Sequence, residues 1–243
     1  MKMAWPSWQV YRLDEAPLRL ERIASLEEHD DIVTCVAAAG FHRRLVLSGS
    51  WDKSIKLWDV GSGQSSSLET FSGHSAGVTS VEWGAGVDQE NLFASTSLDC
   101  SMRLWDRRKP DRCSAYFRLG IPGLTLAWES SQLHLAVGCE DGSVAFMDTR
   151  QLSVPVSIQL MHAGRVNKVR FSTSGNEFCQ VDSCMLASVG DDGALVLRRP
   201  HDETPHFRSV LHSDYACALA WHDANNVVTG GWDGVLCKTR VEA

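Results

Sequence analysis

The sequence predicts an all-β fold: five repeated units of short strands arranged around an axis, with a fragment of a further unit in front. Three observations predict it. The string Ser50-Trp51-Asp52-Lys53-Ser54-Ile55-Lys56-Leu57-Trp58-Asp59 returns at Ser97 to Asp106 and, decayed, at three later places. Its anchor aspartates, Asp52, Asp99, Asp141, Asp192 and Asp233, stand 41 to 51 residues apart, a period that suits units of four strands. Each unit also carries apolar segments of period two, the mark of a strand with one face buried.

Taken in chain order, residues 1–26 hold two strands, Trp8 to Leu13 and about Leu18 to Leu26, which form the last part of a unit whose beginning is absent. Residues 27–243 form one continuous repeat domain. Its units start with strands such as Val78 to Trp83, Leu124 to Trp128, Val166 to Phe171 and Cys217 to Trp221. A second apolar segment follows in each (Leu45–Leu47, Leu92–Ala94, Leu135–Val137, Leu186–Val189, Val227–Thr229), then a turn containing the anchor Asp, then a third strand. Asp141-Gly142, Asp192-Gly193 and Asp233-Gly234 suit tight hairpins that need positive backbone angles. Gly61 to Ser67 is a flexible connection. Ser172 to Ser183 lengthens one unit, whose His-to-Asp interval is 30 residues against 21 to 25 elsewhere; a partner-specific loop or idle length variation both account for it.

Composition sets the class. With 243 residues, 44% hydrophobic and 22% charged, the chain is an ordinary globular protein rather than a disordered or fibrous one. A net charge of −7 opposes broad attraction to nucleic acid or to anionic membrane, and a basic partner fits better. No stretch reaches the roughly 18 apolar residues of a membrane helix, and Met1 to Trp8 does not read as a signal peptide, so a cytoplasmic and nuclear location is expected. The eight cysteines are scattered and read as free thiols. Cys179 and Cys184 lack a second ligand pair, so no metal site is expected, and no cofactor motif is present.

Four residue types keep fixed relations within the units: a His before the first strand, a Ser or Thr four residues before the Asp, the Asp, and a Trp six residues after it. Two units hold the full set, His29, Ser48, Asp52, Trp58 and His74, Ser95, Asp99, Trp105. Two later units keep three members, His162, Ser188, Asp192 and His212, Thr229, Asp233, with Arg198 and Thr239 in the Trp place. The middle unit keeps Asp141 alone, and Val137 and Met147 are expected to compensate by apolar packing. His, Ser and Asp together suggest hydrolytic catalysis, since a triad needs a nucleophile, a base and an orienting carboxylate. Repetition argues against it. Catalysis needs one assembled site, whereas copies spread around an array are what structural bonding produces, so no catalytic residue is assigned.

Gly73-His74, the Trp58-Asp59 and Trp105-Asp106 endings and the spacing between them resemble the WD-repeat family over residues 29–241. The resemblance implies a β-propeller whose units are blades, with the four residues as a structural tetrad. Glu28 to Val33, Ser48 to Asp59, Leu104 to Pro110, Leu126 to Trp128, Asp141 to Val144 with Met147 to Thr149, and Gly231 to Asp233 are similar to the methylosome branch of that family. That likeness implies a non-catalytic, substrate-presenting partner of a type II protein arginine methyltransferase, with histones and Sm proteins as clients. A WD-repeat adaptor in another assembly, such as ubiquitin-ligase substrate recognition or trafficking, is the alternative. The branch implies seven blades. A shortened chain and a smaller ring completed by the N-terminal strands both follow from the count; two leading strands are one more than the last blade needs, which favours the first and predicts exposed edges and poor solubility.

Trp51 and Trp232 precede the anchor Asp in turns near one mouth of the channel, and are candidate partner-binding residues for a peptide or an Arg side chain. Packing against a neighbouring blade is the alternative. Arg107-Arg108-Lys109-Pro110 and His42-Arg43-Arg44 are basic loop clusters read as solvated charge.

Overall fold

The structure, a computed structural model, describes residues 8–13, 20–40, 44–84, 90–109, 113–129, 134–151, 155–172, 184–200, 202, 204–223 and 225–241. Every described regular element is a strand. Strands β1 (Trp8–Leu13) and β2 (Leu20–Leu26) pair as a two-stranded sheet. Four antiparallel four-stranded sheets follow. They are β3 (Val33–Ala38), β4 (Leu45–Ser50), β5 (Ser54–Asp59), β6 (Glu69–Ser72); β7 (Val78–Trp83), β8 (Leu92–Ser97), β9 (Ser101–Asp106), β10 (Cys113–Arg118); β11 (Gly123–Trp128), β12 (His134–Cys139), β13 (Ser143–Asp148), β14 (Ser157–Leu160); and β15 (Val166–Phe171), β16 (Leu186–Gly190), β17 (Ala194–Arg198), β18 (Phe207–Val210). The sixth sheet, that of the fifth full blade in chain order, has three strands, β19 (Ala216–Asp223), β20 (Asn226–Gly231) and β21 (Leu236–Arg240).

This is the all-β blade array that the repeat predicts. The innermost strands touch in chain order, β3 to β7, β7 to β11, β11 to β15 and β15 to β19. Curvature brings non-adjacent blades together across the axis, where Arg170 on β15 lies 3.8 Å from Glu82 on β7. The ring is not closed: β1 and β2 pair with each other rather than completing the sheet of β21.

A device that period-two reading does not reveal joins the blades. Each inner strand skips a residue near the start of its pairing, at Thr34, Thr79, Leu124, Asn167 and Cys217, and β19 skips a second at His222. Such a bulge re-aims the skipped side chain. Three of these bond to the next blade: the hydroxyl of Thr34 donates to the Val78 carbonyl at 2.6 Å, that of Thr79 to Gly123 at 2.5 Å, and the amide of Asn167 to Ala216 at 3.0 Å. In the other direction, the indoles of Trp83 and Trp221 donate to the carbonyls of Ala37 and Arg170 in the preceding blade, both at 3.0 Å.

Apolar side chains fill the space between sheets. Between the first two blades Phe71 meets Phe93 edge-on at 4.8 Å, and Phe93 stacks on Trp105 at 6.0 Å. All three are buried, each worth about 1.5–3 kcal/mol for the apolar surface it removes from water.

The residue after each anchor Asp has positive φ: Gly142, Gly193 and Gly234, but Lys53 and Cys100 in the first two full blades. A side chain costs about 1–2 kcal/mol in that region. Lys53→Gly should therefore raise the urea midpoint slightly. Gly142→Ala should lower stability by about 2 kcal/mol or more, because its Cβ would also run into the carbonyl oxygen of His162. Equilibrium urea unfolding of the two variants checks both signs.

Candidate functional site

In the first two full blades the structure brings the four sequence-selected residues together. The His sits on the connection entering the inner strand, the Ser on the second strand, the Asp in the following turn and the Trp on the third strand. Trp58 Nε1–H donates to Ser48 Oγ at 2.8 Å, Ser48 lies 2.7 Å from His29 Nε2, and His29 Nδ1 lies 2.7 Å from Asp52. Trp105, Ser95, His74 and Asp99 repeat this at 2.8, 2.7 and 2.8 Å. Direction follows from chemistry. An indole N–H only donates, so the Ser oxygen accepts it and its own hydrogen goes to His Nε2; the imidazole then carries its proton on Nδ1 and gives it to the carboxylate.

The Asp has further donors that the spacing rule overlooks. Ser54 gives Asp52 its hydroxyl at 2.6 Å and its N–H at 2.8 Å; Ser101 does the same for Asp99 at 2.5 and 3.0 Å. The backbone N–H groups of Asp30 and Ser75 close the other oxygen. A Ser two residues after the anchor Asp recurs at Ser54, Ser101 and Ser143, a signal visible in the sequence.

Charge follows this bonding. Burial opposes ionisation of Asp52 and Asp99, but the bonds from His29 and Ser54, and from Ser101, Ser75 and His74, outweigh it and hold both carboxyls below the usual range. Burial pushes the imidazoles of His74 and His162 down, only partly offset by Asp99 and Asp192. The order Ser, His, Asp is that of a hydrolytic triad. Its hydroxyls are nevertheless closed off: Ser48, Ser95, Ser188 and Thr229 are all buried, and in the first two blades an indole N–H occupies the oxygen that would attack. A nucleophile must reach its substrate.

The later blades depart in different ways. In the third, Val137 and Met147 are fully buried in one apolar cluster, with Leu119 packed against it. Leu119 stands four residues before the inner strand, where His29 and His74 stand, so three tetrad places have turned apolar together and Asp141 keeps the N–H and hydroxyl of Ser143 at 2.9 and 2.6 Å. In the fourth, His162 reaches Asp192 at 2.9 Å and Ser188 at 2.8 Å. Arg198, in the Trp place, is buried over the Phe146 ring at 5.4 Å, donates to the carbonyls of Arg199 and Asp202, and leaves Nη1 without a partner among the described residues. In the fifth, His212 reaches Asp233 at 3.1 Å and Thr229 at 2.9 Å.

One residue per blade stands immediately before the anchor Asp: Trp51, Leu98, Glu140, Asp191 and Trp232. Each N–H is tied to a carbonyl at the start of its inner strand, of Ile32, Gly77, Pro122, Arg165 and Tyr215 respectively. Trp51, 47% exposed, lies against Gly77 of the next blade, where a Cβ would come within 2.7 Å of its ring. Trp232 is 70% exposed and meets Tyr215 edge-on at 5.5 Å. Between the last two blades these groups border a cleft of about 590 Å3 lined by Arg165, Asn167, Asp191, Tyr215, Cys217 and Trp232. The basic cluster at Arg107 is internally committed, Arg107 to Asn91 at 2.6 Å and Arg108 to Asp106 at 2.8 and 2.7 Å. Pro110, His42, Arg43 and most of the inserted loop, residues 173–183 with Cys179, lie outside the described residues. Among the described residues no group of three or more His, Cys, Asp or Glu converges as a metal site.

Comparison with known proteins agrees with this architecture. The pattern of the WD domain, G-beta repeat, matches residues 20–59 and 65–106. Over 237 residues the chain is 28% identical to Methylosome protein WDR77 of Xenopus laevis, covering 93% of this chain and 64% of that protein. It is 23% identical over 231 residues to the Peroxisomal targeting signal 2 receptor of Schizosaccharomyces pombe, covering 93% and 71%. It is 27% identical over 229 residues to GATOR2 complex protein WDR24 of Homo sapiens, covering 91% and 28%. The chain thus spans less than two thirds of the frog protein.

Ser95→Ala leaves Trp105 Nε1 and His74 Nε2 unpaired in a buried place and should cost about 1–3 kcal/mol. Asp141→Ala removes only the two bonds that Ser143 donates within the turn and should cost less; urea denaturation of both variants checks the ranking. Stability should also fall in two steps on acidification. Below about pH 6.5 the unfolded chain protonates histidines that His74 and His162 resist protonating when folded, and below about pH 4 it protonates the carboxyls of Asp52, Asp99 and Asp192. Thermal melting from pH 8 to pH 3 should show a plateau, then both declines.

Proposed function

We propose that this chain, which carries WD40 repeats at residues 20–59 and 65–106, is a non-catalytic protein-interaction scaffold, and specifically the substrate-presenting subunit of an arginine methyltransferase complex. The observation that carries the specific reading is the likeness to the frog methylosome protein along 93% of this chain, through the decayed blades as well as the complete ones. The geometry supports the general one. Its His, Ser and Asp side chains are used up in internal bonds, whereas the exposed Trp51 and Trp232 stand on turns that such bonds hold. The partner is a type II protein arginine methyltransferase, and the clients are Arg-rich proteins of the histone and Sm kinds, met in the cytoplasm and nucleus; the net charge of −7 suits them.

A second reading rests on the other likenesses. Proteins named as a peroxisomal targeting signal receptor and a GATOR2 component match over comparable lengths, which supports an adaptor in another assembly, in trafficking or in ubiquitin-ligase substrate recognition. Affinity purification of the tagged chain, followed by mass spectrometry, separates the two. Recovery of the type II methyltransferase with its clients is the expected result. Recovery of a ligase or a coat complex without it would establish the second reading instead.

A further inference from the structure

The cleft between the fourth and fifth blades combines three properties. Its first wall is aromatic: Trp232 and Tyr215 meet at 63°, and neither the indole N–H nor the phenol has a hydrogen-bond partner among the described residues. The second wall is anionic. Asp191 accepts the Asn167 amide on Oδ1 at 2.8 Å, which fixes the carboxylate while its other oxygen stays available. The third property is that the resident cation is already committed, because the Arg165 guanidinium is paired with Glu140 at 3.2 Å.

The cleft's volume, about 590 Å3, lies within the range of roughly 300–1,000 Å3 found for ligand-binding clefts. Both lips are held from beneath by the His162–Asp192 and His212–Asp233 contacts, so the cleft is formed before anything enters it. Aromatic faces beside an acceptor carboxylate attract a cation. A guanidinium satisfies both walls at once, since it is planar enough to stack, presents a fork of N–H donors and is less strongly hydrated than an ammonium.

We propose that this cleft binds an arginine side chain of a partner polypeptide, stacked on the Trp232 indole with Tyr215 beside it and ion-paired with Asp191. The proposal rests on the scaffold reading above and deepens it by naming the chemistry of the client and the place where it is held.

The test titrates fluorescein-labelled acetyl-Gly-Arg-Gly-Gly-Arg-Gly-amide against the full chain by fluorescence anisotropy, alongside lysine and citrulline counterparts. The arginine peptide should bind, and the neutral citrulline peptide should bind about tenfold more weakly or worse. Trp232→Ala and Asp191→Asn should each weaken arginine binding by about two- to thirtyfold. Leu68→Ala, at an exposed residue of the first full blade outside the cleft, should leave it unchanged. Asn at 191 keeps an acceptor for Asn167, and Trp232 is mostly exposed, so both variants should melt like the parent. Equal binding of arginine and citrulline, equal binding of arginine and lysine, no binding of the arginine peptide, or parental affinity in both variants would each overturn the proposal. Methyltransferase capture is measured on the same preparations. Capture without arginine binding refutes the cleft and leaves the complex reading standing, whereas arginine binding without capture supports the cleft and refutes that complex.

Discussion

The rest of the structure depends on one constraint: polar groups sealed between sheets must be paired with each other. In the complete blades the chain running from indole to hydroxyl to imidazole to carboxylate meets it. The His enters from the connection between blades, and the Asp sits in the hairpin turn of the next sheet, so the bonds fasten the path of the chain to the sheet that it enters. The connection thereby acquires a fixed place relative to the turn. The bulged Thr34, Thr79 and Asn167 then stitch each inner strand to its neighbour.

Blades that lose members of this chain show how strict the constraint is. In the third blade Leu119, Val137 and Met147 replace His, Ser and Trp together, which removes the buried polar groups instead of orphaning them. Exchanging every partner for an apolar group of suitable shape is far cheaper than removing one. The fourth blade is a half-measure. Arg198 fills the Trp volume and finds carbonyls for part of its guanidinium, but one nitrogen goes without a partner among the described residues. The same network has a consequence for the surface: by fixing the turns, it fixes the residues that precede each anchor Asp, and variation among Trp51, Leu98, Glu140, Asp191 and Trp232 leaves the backbone bonds that hold them unchanged.

Much of this was legible in the sequence because it depends on repetition. A His, Ser, Asp and Trp that recur at set distances must share a face and a task, and their repetition argues against a single catalytic centre. The anchor turns were legible too, through Gly142, Gly193 and Gly234, although Lys53 and Cys100 take the same backbone conformation without announcing it. Contacts between units were not legible. The donation from Trp83 to Ala37 or from Thr34 to Val78 joins residues 44 to 46 positions apart whose pairing is decided by sheet twist and a skipped residue. Leu119 is not legible in the sequence, because an apolar residue four places before a strand carries no signature of its own. The cleft escaped for the same reason: Asp191 and Trp232 hold equivalent places in successive repeats, and only packing of one blade on the next sets them around a common space.

The central claim is that the indole, hydroxyl, imidazole and carboxylate form a closed, internally satisfied chain. Hydrogen exchange of the tryptophan indole protons, followed by NMR at neutral pH, tests it most directly. The account predicts that the Nε1–H protons of Trp58 and Trp105 exchange slowly, at rates that track unfolding of their blades, while those of Trp51 and Trp232 exchange at rates near those of a free indole. Exchange at Trp58 and Trp105 as fast as at Trp232 would contradict it.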